Sequence, residues 1–83
     1  ILILKHYMDE NKYKSAFQEA FTIDEKKDLS GLKYQEIEEW DSIGHMTLIS
    51  NLEEKFGITF STDDIVDFSS YKKGMDIIKN YIK

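Results

Sequence analysis

Residues 41–57 read DSIGHMTLISNLEEKFG, a segment with a regular apolar pattern and a residue suited to bound a helix at each end. Its apolar residues recur at steps of three and four, at Ile43, Met46, Ile49, Leu52 and Phe56. That spacing predicts one stripe of an α-helix over residues 42–56, with Leu48 as a second core position. Asp41 is placed to cap the start of the helix, and Gly57 is placed to end it.

Three further helices are predicted around this one. Residues 9–22 carry an apolar stripe at helical spacing, formed by Tyr13, Ala16, Phe17, Ala20 and Phe21. A short helix over residues 62–68 follows a cap with two carboxylates. A last helix over residues 71–82 has the stripe Tyr71, Met75, Ile78 and Ile82. The expected fold is therefore all-α: a four-helix bundle with a short third helix and a long loop between the first two helices.

That loop, over residues 23–41, lacks a sustained period and is long for so small a domain, which favours a functional role. Its apolar residues are predicted to anchor it on the core: Leu29, Leu32, Ile37 and Trp40. One short helical turn is expected over residues 34–38.

The chain of 83 residues, 41% of them apolar, suits one small domain with a modest core. Residues 1–7 precede Met8 and are interpreted as an N-terminal extension, either disordered or left over from cloning or upstream translation. Residues 8–83 are then the single domain. The opening apolar run is too short for a signal peptide, and no run approaches the roughly 20 residues that span a bilayer. A cytoplasmic monomer is expected.

The net charge of −5 is unevenly distributed. Residues 24–70 hold 12 acidic and 4 basic residues, whereas residues 71–83 hold four lysines and one aspartate. A negative field over the middle of the chain argues against nucleic acid and anionic membranes, and it favours basic protein partners. A solvated acidic surface that serves solubility alone explains this distribution equally well.

The sequence contains no convincing set of catalytic residues. Ser42, His45 and Asp41 contain the residue types of a hydrolase triad, but Ser42 and His45 lie three apart on one predicted helix. Both are expected to point outward, with no room for an oxyanion hole. The chain has no cysteine, its two histidines cannot hold a metal without carboxylates, and no phosphate-binding glycine pattern occurs. A non-catalytic protein is predicted.

Ser42 remains as an acceptor of modification. A serine in the first turn of a helix lies near free backbone N–H groups and the positive end of the helix dipole, which stabilise an attached anion. On these residues alone, Ser42 is either an ordinary part of the helix cap or an attachment point, and the cap is the commoner case.

A wider set of residues resembles the acyl carrier protein family. The similarity comprises an Asp-Ser-Ile attachment motif at residues 41–43, a Leu-Glu-Glu-Lys-Phe-Gly-Ile helix end at residues 52–58, a short acidic third helix and a closing helix. It covers residues 40–82 closely, and the first helix and loop match in length and pattern. An Asp-Ser-Ile motif alone would be weak evidence for the family, but the combination of these features is specific to it.

The resemblance implies that Ser42 is esterified by 4′-phosphopantetheine, donated by coenzyme A through a separate magnesium-dependent phosphopantetheinyl transferase. The thiol of that cofactor carries an acyl or aminoacyl group as a thioester, and the core between the helices shelters acyl chains. Asp41 would help to engage the transferase and its metal. Partner enzymes that load and transfer acyl groups would use basic docking patches to recognise Asp41, Ile43, Met46, Glu53 and Glu54.

The resemblance implies a role in fatty-acid-like or specialised biosynthesis. Three departures from the family pattern favour a specialised carrier: Ile43 replaces the commoner leucine, Gly44 and Thr47 stand where acidic residues are common, and Trp40 replaces a small residue. Gly44 is expected to cost helix stability, about 0.5–1 kcal/mol against alanine, and to permit close approach by a partner. The alternatives are a peptidyl or D-alanyl carrier, and a non-carrying acidic helical module that binds a partner.

Overall fold

The computed structural model describes residues 9–82, which form α1 (Glu10–Phe21), α2 (Ser42–Phe56), α3 (Thr62–Asp67) and α4 (Tyr71–Tyr81). Within this range no strand forms, and Lys33 and Ser70 make an isolated bridge. The four predicted helices are confirmed to within one residue at each end, so the described chain is all-helical, as expected of a small bundle. The predicted extension over residues 1–7 lies outside the described residues.

Local sequence signals set the ends of these helices. Each helix begins at a side chain that accepts a backbone N–H of its first turn: Asp9, Asp41, Ser61 and Ser70. At the end of α2, Gly57 adopts the left-handed conformation with φ of 65°, which glycine tolerates best. The predicted cap at Asp41 and the predicted stop at Gly57 are both confirmed.

The core consists largely of aromatic rings that meet edge to face. Phe17 of α1 lies at its centre, with ring centroids 4.9 Å from Tyr71, 5.1 Å from Tyr13 and 5.4 Å from Trp40. Rings at these separations add packing energy beyond the area they bury. The complete set of buried apolar residues is Tyr13, Ala16, Phe17, Phe21, Leu29, Leu32, Trp40, Leu48, Ile49, Leu52, Phe60, Phe68, Tyr71, Ile77 and Ile78.

The buried face of α2 differs from the predicted stripe. Leu48, Ile49 and Leu52 are buried, whereas Ile43 and Met46 are exposed. The first turn itself packs on the core, since Gly44 lies against Glu39 and Phe21. Ile43 and Met46 lie on the outer face of the helix, so their place in the periodic stripe does not make them core residues, and they are exposed as the resemblance implies. Leu48 has a central place instead of a secondary one.

The face of α4 is also rotated from the predicted stripe. Tyr71 and Ile78 are buried as predicted, together with Gly74 and Ile77, while Met75 is half-buried. Gly74 has no room for a side chain, because a Cβ there would lie 2.1 Å from Cζ of Phe68. The close approach of α4 to the aromatic rings thus depends on a glycine that an apolar stripe does not reveal.

The loop between α1 and α2 is anchored as predicted at Leu29, Leu32 and Trp40, all of which are buried. The expected helical turn over residues 34–38 is wrong. Gln35 has a positive φ of 66°, and its N–H donates to the carbonyl of Trp40 at 2.9 Å. This left-handed residue turns the chain back on itself and excludes a right-handed helical turn.

A buried hydrogen bond joins α1 to α4. The hydroxyl of Tyr13 donates to the carbonyl of Tyr71 at 2.6 Å. Burial, together with the nearby Tyr71 and Asp76, raises the pKa of Tyr13 well above its ordinary value. Burial is also the main cause that raises the pKa of Tyr71 to about 12. Both tyrosines therefore ionise at a higher pH in the folded protein than in the unfolded chain.

No helix between residues 9 and 82 is both long enough and apolar enough to cross a lipid bilayer.

Candidate functional site

Ser42 is the first residue of α2, and its side chain is exposed. The capping role belongs to Asp41, whose Oδ1 accepts the N–H of Gly44 at 2.8 Å. The hydroxyl of Ser42 has one long contact, 3.4 Å to the hydroxyl of Tyr34. Because Asp41 satisfies the cap, the Ser42 hydroxyl stands at the start of a helix without a structural task that would occupy it.

Tyr34 is held beside Ser42 by the loop. Its N–H donates to the carbonyl of Ser69 at 2.9 Å, which ties the loop to the segment before α4. Its ring meets those of Trp40 and His45 edge to face, with centroids 6.2 Å and 5.4 Å away. Sequence reasoning gave Tyr34 no role at the site, because the turn that presents it depends on contacts with a distant segment.

His45 bridges three parts of the fold. Its Nδ1 accepts the indole N–H of Trp40 at 2.9 Å, and its Nε2 lies 2.8 Å from the carbonyl of Ile65. An indole N–H can only donate, so Nδ1 is the acceptor, and Nε2 carries the hydrogen that it donates to Ile65. The imidazole and the Trp40 ring are nearly parallel, with centroids 6.2 Å apart and an interplanar angle of 15°. The loop, α2 and α3 are thereby joined through one side chain.

The expectation that His45 points outward beside Ser42 is therefore wrong. The side chain is half-buried, and both of its ring nitrogens are engaged. The reason is tertiary: Trp40 lies within the buried core and supplies a donor that needs an acceptor. With both nitrogens bonded elsewhere, His45 is not available as a base for Ser42.

Gly44 occupies the inner side of the first turn of α2. A Cβ at this position would lie 1.9 Å from the carbonyl oxygen of Glu39 and 3.2 Å from the ring of Phe21. The space left by the missing side chain is occupied by the protein's own loop. The sequence prediction that this space admits a partner is therefore not needed to explain Gly44. The loop that carries Trp40 can reach the helix start only because residue 44 is glycine.

Exposed apolar side chains lie on α2 and α3. Ile43 is 79% exposed, Met46 is 51% exposed and Val66 of α3 is 74% exposed. The first two were predicted as contacts for partner enzymes, and they are accessible for such contacts. Val66 was missed, because a six-residue helix is too short for periodicity to separate its buried side from its exposed side.

The two glutamates near the end of α2 have different environments. Glu53 is half-buried, and its Oε2 accepts the N–H of Phe60 at 2.9 Å, which fastens the connection between α2 and α3. Glu54 is exposed. Because the hydrogen bond to Phe60 uses only Oε2 of Glu53, its other carboxylate oxygen can make further contacts. The role of Glu53 and Glu54 in partner recognition stays a prediction.

Two depressions lie next to Ser42. One, which we call the Tyr34 pocket, has a volume of about 260 Å³ and is lined by Tyr34, His45, Ile65, Val66, Phe68 and Ser69. The other, which we call the α2 groove, is wider at about 510 Å³ and is lined by Ser42, Ile43, Met46, Thr47, Ser50 and Asn51. A group attached to Ser42 therefore has an apolar recess on the side of α3 and an open surface along α2.

In comparisons with known proteins, no protein-family model, no curated protein and no solved structure matches this chain.

Proposed function

We propose that the protein is an acyl carrier whose Ser42 is esterified by 4′-phosphopantetheine, and that its four helices form an acyl-carrier-like bundle. The observation that carries the proposal is the exposed Ser42 hydroxyl at the start of α2, with the cap already supplied by Asp41. The motif similarity over residues 40–82 supports the same reading. When bound, the cofactor supplies the thiol that this cysteine-free chain lacks, and that thiol holds an acyl or aminoacyl group as a thioester.

The environment of Ser42 fits an attached phosphodiester. The residue is exposed, so it can enter the active site of another enzyme. The positive end of the α2 dipole lies at the same place and favours a negative charge there. Within the first turn of α2 no residue is acidic. The carboxylate of Asp41, directly before Ser42, is stabilised by the N–H of Gly44, which it accepts at 2.8 Å.

Modification of Ser42 requires a separate transferase. The Ser42 oxygen forms a bond to the phosphorus of coenzyme A that bears the pantetheine, and the bond from that phosphorus to 3′,5′-adenosine diphosphate breaks. The serine proton passes to a base of the transferase, and the nucleotide leaves with the electron pair. His45 does not supply that base, since its nitrogens are bonded to Trp40 and Ile65.

Partner enzymes are proposed to dock around Ser42 through a mixed apolar and acidic surface. Ile43 and Met46 present exposed apolar side chains on α2. Asp41, Glu53 and Glu54 contribute negative charge, which suits the basic patches expected on a transferase and on enzymes that load or transfer acyl groups. A cytoplasmic monomer that binds neither nucleic acid nor membrane belongs to the same proposal.

Loading of the apo protein tests the proposal. The protein is incubated with coenzyme A, magnesium and a broad-specificity transferase, and its intact mass is then measured. One phosphopantetheinyl group is expected on the wild type and on Ser50→Ala, the control with a serine removed from the exposed face of the same helix. None is expected on Ser42→Ala. If Ser42→Ala gains the phosphopantetheinyl group to the same extent as the wild type, the proposal is wrong.

A non-carrying interaction module predicts a different pattern in the cell. There, Ser42→Ala would leave the biological activity intact, and charge reversal at Glu53 and Glu54 would abolish it. A carrier loses activity with Ser42→Ala alone, whatever the effect of the charge reversals.

A further inference from the structure

The Tyr34 pocket adjoins the proposed attachment oxygen. Tyr34 lines the pocket, and its hydroxyl lies 3.4 Å from Oγ of Ser42. Apolar walls are supplied by Ile65, Val66 and Phe68. A group tethered at Ser42 by a flexible chain meets this pocket at an effective concentration of roughly millimolar, so even a weak affinity gives appreciable occupancy.

The inner wall of the Tyr34 pocket is closed. His45 forms part of that wall and is held from both sides, by the indole N–H of Trp40 and the carbonyl of Ile65. The Phe68 ring meets His45 edge to face at 6.1 Å. A chain passing from the pocket into the bundle would have to break the His45 bridge and leave the buried N–H of Trp40 without an acceptor, which is costly.

The interior behind that wall is filled. The fully buried ring of Trp40 lies 5.4 Å from the rings of both Phe17 and Phe21, and Phe68 lies 6.1 Å from Phe17. Gly74 on the far side is already in contact with Phe68, so the ring cannot retreat in that direction. Interiors packed in this way resist additional methylenes, since neighbouring side chains must leave their preferred rotamers.

We propose that the carried group is short, with roughly ten non-hydrogen atoms or fewer, and that it lies in the Tyr34 pocket instead of entering the helix bundle. A cavity of about 150 Å³ holds the six carbons of benzene, which sets the capacity of a 260 Å³ pocket near ten atoms. The substrate class is a short acyl or aminoacyl thioester. This inference rests on the proposed function, because it requires that Ser42 carries the cofactor.

Chain length is the variable that tests this inference. The transferase is supplied with coenzyme A or with its acetyl, butyryl, hexanoyl or palmitoyl thioester, and each loaded protein is studied by NMR and thermal unfolding. Shift changes at Val66 and Tyr34 are expected to grow from acetyl to hexanoyl and then to stop. The indole N–H signal of Trp40 is expected to stay in place throughout, and the melting temperature is expected to gain nothing from the palmitoyl group.

Two variants localise the effect. Val66→Ser removes an exposed apolar wall of the pocket, and it is expected to abolish the dependence of the shifts on chain length. Asp67→Ser changes the neighbouring exposed residue of α3 outside the pocket, and it is expected to retain that dependence. Both sites are exposed, so neither substitution removes core packing.

The outcomes separate this inference from the proposal beneath it. If no cofactor is added at Ser42, the proposed function fails, and the inference fails with it. If the protein is loaded but palmitoyl shifts the Trp40 indole signal and raises the melting temperature beyond the value for hexanoyl, the carrier stands and the short-cargo inference is overturned. It is also overturned if the cofactor alone produces all of the shift changes at Val66.

Discussion

Replacement of Trp40 and His45 by phenylalanine, singly and together, measures the energy of the bridge that joins the loop to α2 and α3. In His45→Phe the buried indole N–H of Trp40 loses its acceptor, which costs about 1–3 kcal/mol. The carbonyl of Ile65 loses a donor at the same time, which adds about 0.5–1.5 kcal/mol. The free energy of unfolding is therefore expected to fall by about 2–4 kcal/mol.

The double variant should lose less than the two single variants predict. In Trp40→Phe/His45→Phe there is no indole N–H to be left without an acceptor, so the double variant does not carry that energetic cost. We expect a coupling energy of about 1–2 kcal/mol between the two positions, well above the few tenths found between independent sites.

Urea unfolding followed by far-UV circular dichroism is the assay, because Trp40 is the only tryptophan and its fluorescence is lost in two of the variants. The slope of free energy against urea concentration should stay constant across the four proteins, which checks that their unfolded states are comparable. Coupling below about 0.5 kcal/mol would contradict a shared hydrogen bond, since it would mean that the two residues act independently.

Two further predictions concern packing and ionisation. Helix propensity favours Gly44→Ala, but the Cβ would lie 1.9 Å from the carbonyl of Glu39, so we expect a loss of about 1–3 kcal/mol in urea unfolding. Gly31→Ala, with nothing within 4 Å, is the control, and an equal loss there would contradict the explanation. Because burial raises the pKa values of Tyr13 and Tyr71, the unfolded chain ionises first. The free energy of unfolding should then fall from about pH 10 upward, and a constant value to about pH 12 would contradict this.

The helices could be predicted from the sequence because their signals are local. Asp41 and Gly57 bound α2 at the predicted positions, since a cap and a left-handed stop depend on residues within one turn. The anchoring of the loop at Trp40 was also predictable, because a large apolar ring within an acidic segment is expected to be buried in the core.

The parts of the site that the sequence did not predict depend on contacts between distant segments. His45 and Ile65 are twenty residues apart, and Tyr34 is placed by a hydrogen bond to Ser69. The positive φ of Gln35 could not be predicted, because glutamine has no preference for the left-handed conformation. Periodicity grouped Ile43 and Met46 with the buried Ile49, because it shows that a helix has an apolar stripe but not which side of that stripe faces the core.

The attachment of a cofactor at Ser42 is the central claim, and fragmentation of the modified protein tests it most directly. Apo protein and a known carrier protein are treated in one tube with coenzyme A, magnesium and transferase, digested, and sequenced by tandem mass spectrometry. We expect a single phosphopantetheinyl group on the peptide that contains Ser42, at that residue. An unmodified Ser42 beside a fully modified control carrier would contradict it.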